Sequence, residues 1–121
     1  MKIRIKGNSI RYRLTQSDVK TFCENGYFEE RTQFIENTFI YSIKISDLID
    51  NIEGHFRSNK IELIISQTLL GEWATDEKVG FNFNYKLTNG EILSILIEKD
   101  FTCLDNTIED QSDNYPNPKL Q

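Results

Sequence analysis

The chain has a single histidine, His55, and only two cysteines, Cys23 and Cys103. One histidine excludes a His-pair metal motif, so any imidazole acid–base chemistry has to use His55. The cysteines have neither metal-ligand spacing nor a C-x-x-C arrangement, and reduced, packed thiols are the expectation. No apolar run approaches the roughly 18 residues of a membrane-spanning helix. The opening Met-Lys-Ile-Arg-Ile-Lys lacks the continuous apolar region of a secretory signal. A Gly-rich phosphate loop and a nucleophile elbow are also absent. These absences point to a cytoplasmic protein without a recognised catalytic motif.

What is present suffices for one folded domain. The 121 residues are 38% apolar and 12% aromatic, enough for a single core without disulfide or metal staples. The net charge of −5 hides a gradient. Lys2, Arg4, Lys6, Arg11 and Arg13 all precede the first acid, Asp18, whereas Asp100, Asp105, Glu109, Asp110 and Asp113 crowd the other end. An acidic total works against general nucleic-acid binding, because phosphate repulsion must be overcome. A local basic face, or internal pairing of the two ends, stays open.

The most apolar stretch, Glu91–Lys99, follows Thr88-Asn89-Gly90, where Asn-Gly is expected to supply the positive φ angles of a tight hairpin turn. Phe81–Leu87 before it alternates, with Phe81, Phe83, Tyr85 and Leu87 on one face. Earlier, Ile3 and Ile5, then Ile10, Tyr12 and Leu14, alternate with the basic residues around a Gly7-Asn8-Ser9 turn. Thr15 with Asp18 predicts a capped helix carrying Val19, Phe22 and Cys23 and ending at Gly26. Phe28–Ile35 and Thr38–Ile45 form the next hairpin. Ser46–Gly54 reads either as a short helix stopped by Gly54 or as an irregular crossover. His55–Arg57 and Lys60–Ile65 pair around Ser58-Asn59, and Ser66 caps a second helix with Leu69, Leu70, Trp73 and Ala74. Trp73 is expected in the core. The polar residues from Asp105 onward read as a tail, extended or pinned on the surface.

Laid against itself, the chain repeats. Ile5-Lys6-Gly7-Asn8-Ser9-Ile10 matches Phe56-Arg57-Ser58-Asn59-Lys60-Ile61, and Ile40–Ile45 lies on Ile92–Ile97. The expected fold is α+β: a duplicated hairpin-helix-hairpin unit with about eight short, mostly antiparallel strands and two or three helices. The strands should form a sheet or partial barrel, its inner face carrying Tyr41, Ile43, Ile45, Leu93, Ile95 and Ile97. Residues 1–104 make one domain of two repeats, 2–47 and 54–99, with 105–121 as an acidic tail.

The opening Met1–Thr15 and the closing Glu109–Pro118 resemble an uncharacterised family of small proteins of the Bacteroidota, a domain of unknown function. The resemblance covers essentially the whole chain and implies a cytoplasmic bacterial protein, with no activity attached. In layout, Ile61–Lys99 is similar to the swapped-hairpin half of AbrB- and MazE-type DNA-binding domains. It departs from them in lacking a proline at the helix start, and in having Glu62 where the first repeat has Arg11.

The expected function is a small non-enzymatic binding or interaction module, its partner a protein or a small molecule. No cofactor, metal or membrane is implied, and the oligomeric state is open. The first alternative is a nucleic-acid-binding regulator that uses Lys2, Arg4, Lys6, Arg11 and Arg13 as an anion-contact face. The second is an enzyme or metal protein built on His55, Cys103 and the acidic tail, whose carboxylates are hard ligands but lack a calcium-loop pattern.

Overall fold

Each alternating stretch becomes a strand, and the turn chemistry between them builds four hairpins. The computed structural model describes residues 1–102 and 111–117. Its elements run β1 (Lys2–Lys6), β2 (Ser9–Leu14), α1 (Gln16–Asn25), β3 (Tyr27–Gln33), β4 (Thr38–Ser46), β5 (Ile52–Arg57), β6 (Lys60–Ser66), α2 (Gln67–Leu70), β7 (Gly80–Lys86) and β8 (Ile92–Lys99). Ser58 and Asn59 both take left-handed φ angles, 51° and 64°, as a two-residue turn between Arg57 and Lys60 requires. The turn before β8 differs from expectation. Only Gly90 is left-handed there; its N–H donates to the Leu87 carbonyl and the Leu87 N–H donates to Glu91. This is the wider three-residue loop with a glycine bulge.

The first helix starts and stops as its sequence dictates. Thr15 Oγ1 accepts from the Asp18 N–H at 3.3 Å, and the Asp18 carboxylate accepts from the Thr15 N–H at 3.1 Å. Gly26 closes the helix with φ 74° and donates its N–H to the Phe22 carbonyl at 2.7 Å. The second helix is shorter than the residue pattern suggests. Ser66 caps it, but Gly71 turns left-handed after a single turn, so Trp73 follows in a turn region and still reaches the core. Ser46–Gly54 is not helical: residues 47–51 are irregular and Gly54 lies inside β5.

The fold is α+β, with eight strands among the described residues in two four-stranded sheets, ordered β1-β2-β8-β7 and β3-β4-β6-β5. The expected single sheet or partial barrel is therefore corrected: neither sheet closes. Each hairpin pairs with one other hairpin through a central parallel contact, β2 with β8 and β4 with β6, and growth ends there. The four hairpin pairings themselves are antiparallel. The outer strands remain edges, and β1 carries the charged Lys2, Arg4 and Lys6 that discourage edge pairing.

The inner faces share one apolar core. Ile10, Tyr12, Leu14, Ile95 and Ile97 of the first sheet meet Ile43, Ile52, Leu63 and Ile65 of the second, joined by Val19, Phe22, Leu70 and Trp73. Tyr12 and Tyr41 meet edge to face across the sheets at 5.8 Å. Tyr41, Ile45 and Leu93 pack on the margin of this core. The parallel register places every hairpin turn at one end, and the chain passes from β2 and β6 into the helices at the other. The molecule thus has a helix end and a turn end. Residues 111–117 join the helix end, where Gln16 N–H donates to the Asp113 carbonyl and Tyr115 bridges to Phe101.

Candidate functional site

At the turn end the two sheets leave a cleft of about 450 Å³. Ile5, Ile10 and Leu93 of the first sheet form one wall; Phe39, Phe56, Ile61 and Leu63 of the second form the other. Gly54 lies on the second sheet beside Leu63. A methyl group there would meet the side-chain tips of Ile95, Leu63 and Leu93 at 3.1–3.3 Å, so the missing side chain lets these three pack closely at the floor of the cleft. The surroundings are also apolar. Among the described residues, the exposed large hydrophobics Ile5, Phe34, Ile35, Phe56, Tyr85 and Ile92 lie at this end, and Leu48 and Val79 lie elsewhere. An apolar recess of this size with few polar groups is the usual form of a small-molecule site.

The polar groups of the cleft are already engaged. The Asn8 amide donates to the Ile92 carbonyl at 2.9 Å. His55 contributes to the wall, but strand alternation sends its side chain to the outer face. There Nε2 lies 3.0 Å from Glu53 Oε1, both side chains being half-exposed. Among the described lining residues His55 is the one titratable group, and it faces away from the apolar walls. Cys103, Asp105, Glu109 and Asp110 lie outside the described residues. Of the tail's other ligand candidates, Asp113 accepts from the Ser17 hydroxyl and N–H, bonds that hold its carboxyl below the usual range, those to Thr15 contributing most. Among the described residues no cluster of three His, Cys, Asp or Glu side chains gathers to hold a metal. Burial pushes the Cys23 thiol up, which keeps it protonated and unreactive.

The second candidate surface is the outer face of the first sheet. Register sets Lys2 opposite Arg13 and Arg4 opposite Arg11, so the basic residues of two strands share one face. Arg11 and Arg13 both converge on Glu98 of β8, with Nε at 2.6 and 3.2 Å from Oε1. Lys2 lies 3.3 Å from the buried Asp100 carboxylate. Arg4 and Lys6 remain exposed without a carboxylate partner among the described residues. Together with Ser9, Asn82, Asn84 and Ser94 they border a shallow depression of about 410 Å³. Lys86 extends the same face on β7.

The outer face of the second sheet carries charges that are paired in part. Arg31 donates to Glu29 at 2.6 Å, and the Tyr27 hydroxyl donates to Glu29 while accepting from Lys60 at 2.7 Å. Arg31 and Tyr27 hold the Glu29 carboxyl below its ordinary value, and Tyr27 raises the Lys60 ammonium. Lys60 also approaches Glu62 at 3.6 Å.

The basic residues were visible from alternation alone. The cleft was not, because its walls use the same residue types as the core. One signal existed: Gly54, read either as a helix stop or as part of an irregular crossover, is an isolated glycine within a strand, where close approach of a neighbour is a common reason.

Comparison with known proteins adds a family and nothing more. The pattern of a family of unknown function, DUF7009, matches residues 1–119, and the chain belongs to it. No curated protein matches the chain, and no solved structure does. No helix among the described residues is long and apolar enough to cross a membrane.

Proposed function

We propose that the protein is a small, non-enzymatic binding module of a bacterial cytoplasm whose ligand enters the cleft at the turn end. The observation that carries this reading is the apolar cleft between the two sheets, at whose mouth Ile5 and Phe56 are more than half exposed. Burying those side chains under a ligand gains about 25 cal/mol per Å² of apolar surface. The test is an NMR titration of the labelled protein with 1-octanol. Shifts should concentrate at residues 5–10, 54–56 and 93. Absent shifts, or shifts confined to the helix end, would refute the reading.

A second reading rests on the basic outer face, where Arg4 and Lys6 lie free beside Arg11. On it, the protein is a nucleic-acid-binding regulator of swapped-hairpin type. Fluorescence anisotropy of labelled duplex DNA at about 50 and 200 mM salt tests this, since phosphate contacts weaken steeply with salt. Glu98→Gln should strengthen such binding by releasing Arg11 and Arg13. No binding at the lower salt would retire the reading.

We also infer that the chain is an internal duplication of residues 2–47 and 54–99. Exchanging the units turns the order β1-β2-β8-β7 into β5-β6-β4-β3, which is the second sheet read backwards. An experimental structure in which the two units fail to superpose strand for strand would end this inference.

A further inference from the structure

We propose that the outer face of the first sheet takes a single strand of nucleic acid, its phosphates along Arg4 and Lys6 and its unpaired bases laid over β8 toward Asn82 and Asn84. This rests on the nucleic-acid reading of that face and adds the form of the ligand. Register fixes the rows that run across the sheet. Arg4, Arg11, Leu96 and Asn82 stand in one, and Lys6, Ser9, Ser94 and Asn84 in the next. Alternation points these side chains outward, since Ile3, Ile10, Ile95, Phe81 and Phe83 between them pack on the core. All eight border the shallow depression on that face.

The two rows are split in character. Their β1 and β2 side is cationic, and their β8 and β7 side is neutral. Arg4 and Lys6 are exposed, with no ion-pair partner among the described residues. Asn82 and Asn84 are exposed too, and their side-chain amides make no hydrogen bond among those residues. Leu96 offers apolar surface between the two sides. Ile92, opposite Lys86 and nearer the turns, adds more and is 53% exposed. The carboxylate at an outward position of these strands is Glu98, on the helix-end side of the rows, and Arg11 and Arg13 already engage it.

A phosphodiester strand is divided in the same way, with charge along one side and flat, neutral, hydrogen-bonding bases along the other. Outward residues two apart on β1 stand about 6.8 Å apart, the scale of neighbouring phosphates in an extended strand. From β2 to β7 is two strand spacings, about 10 Å, a distance one nucleotide spans. An extended acidic peptide sends successive side chains to opposite sides and brings no planar neutral group to Leu96 and the asparagines. A duplex hides its base edges in grooves. Four strands make a face about 14 Å across, too broad for a major groove about 12 Å wide. Bases therefore reach Asn82 and Asn84 only when unpaired.

The experiment is fluorescence anisotropy of the full chain with labelled oligo(dA), an abasic strand of equal length, and the same oligo(dA) paired with oligo(dT), at about 50 mM salt. Adenine suits the test because an asparagine amide pairs with it through two hydrogen bonds. Oligo(dA) should bind roughly tenfold more tightly than either comparison, since both withhold the base contacts. The variant Asn82→Ala/Asn84→Ala should lose roughly three- to tenfold for oligo(dA) and nothing for the abasic strand. Arg4→Gln/Lys6→Gln should weaken all three, and should flatten the slope of log affinity against log salt for oligo(dA) by about 1.4, from about 0.7 per phosphate. All four residues are exposed, so both variants should melt with the parent. Duplex or abasic strand bound as tightly as oligo(dA), or an unaffected asparagine variant, would overturn the single strand and leave the nucleic-acid reading standing. Binding of none of the three would overturn both. Poly-glutamate bound as tightly as oligo(dA), charge for charge, would assign the face to an acidic protein and overturn the proposal.

Discussion

The helix end and the turn end use the same kinds of side chain to opposite effect. At the helix end Val19, Phe22, Leu70 and Trp73 are almost wholly buried, and the Trp73 indole donates to the Lys78 carbonyl at 2.8 Å. At the turn end Ile5, Phe34, Phe56 and Ile92 are left more than half exposed. One end spends its apolar surface on stability; the other holds it in reserve. The distinction comes from where the helices fall. Each follows the second strand of its hairpin, so both cover the end where β2 and β6 finish, and the ends where they begin stay open.

Substitutions break or sharpen this contrast. The largest effect is expected at the helix end, where Trp73→Ala should cost about 3–5 kcal/mol, read as the shift in urea midpoint. Ile95→Ala, in the shared core, should cost about 2–5 kcal/mol; an unchanged melting curve would place Ile95 outside that core. Gly26→Ala forces a side chain into the left-handed region and should cost about 1–2 kcal/mol. At the turn end Phe56→Ser should change stability by no more than about 0.5 kcal/mol while abolishing octanol binding in the NMR titration. A loss comparable to that of Trp73→Ala would dissolve the contrast.

The smallest expected effect is electrostatic. Asp113 docks residues 111–117 on the start of α1, and its hydrogen bonds lower its pKa in the folded chain. The contribution of this contact is therefore full above the ordinary aspartate pKa of about 3.9. It is lost only as pH falls through the lower, folded value. Hydrogen exchange at the Gln16 amide, which donates to the Asp113 carbonyl, should stay slow at neutral pH and speed up in Asp113→Asn. Identical exchange in the variant would remove Asp113 from the docking.

Much of the local structure was legible in the sequence because it is decided locally. Thr15 with Asp18 and Gly26 mark a helix through hydrogen bonds made within a few residues, and alternation assigns Ile10, Tyr12 and Leu14 to one face. Pairing between hairpins was not legible. Nothing within Ser9–Leu14 specifies that it lies parallel to Ile92–Lys99 rather than in a closed sheet. The basic face followed from period-2 spacing, but its partial neutralisation by Glu98 depended on that same unforeseen pairing. The cleft depended on it too: Ile5 alternates exactly as Ile3 does, yet its position at the mouth leaves it 58% exposed.

The parallel contact between β2 and β8 also has a consequence in time. It joins Ser9–Leu14 to Ser94–Lys99, nearly the full length of the described domain apart. Such a pairing has a high loop-closure cost and belongs to slow-folding topologies. During synthesis the first hairpin leaves the ribosome with one side of β2 unpaired, and it stays so until the last strand emerges. The unmatched backbone and the isoleucines around it are then open to other chains. The domain therefore depends on late arrival, and truncation before residue 94 should yield aggregation in place of a smaller folded unit.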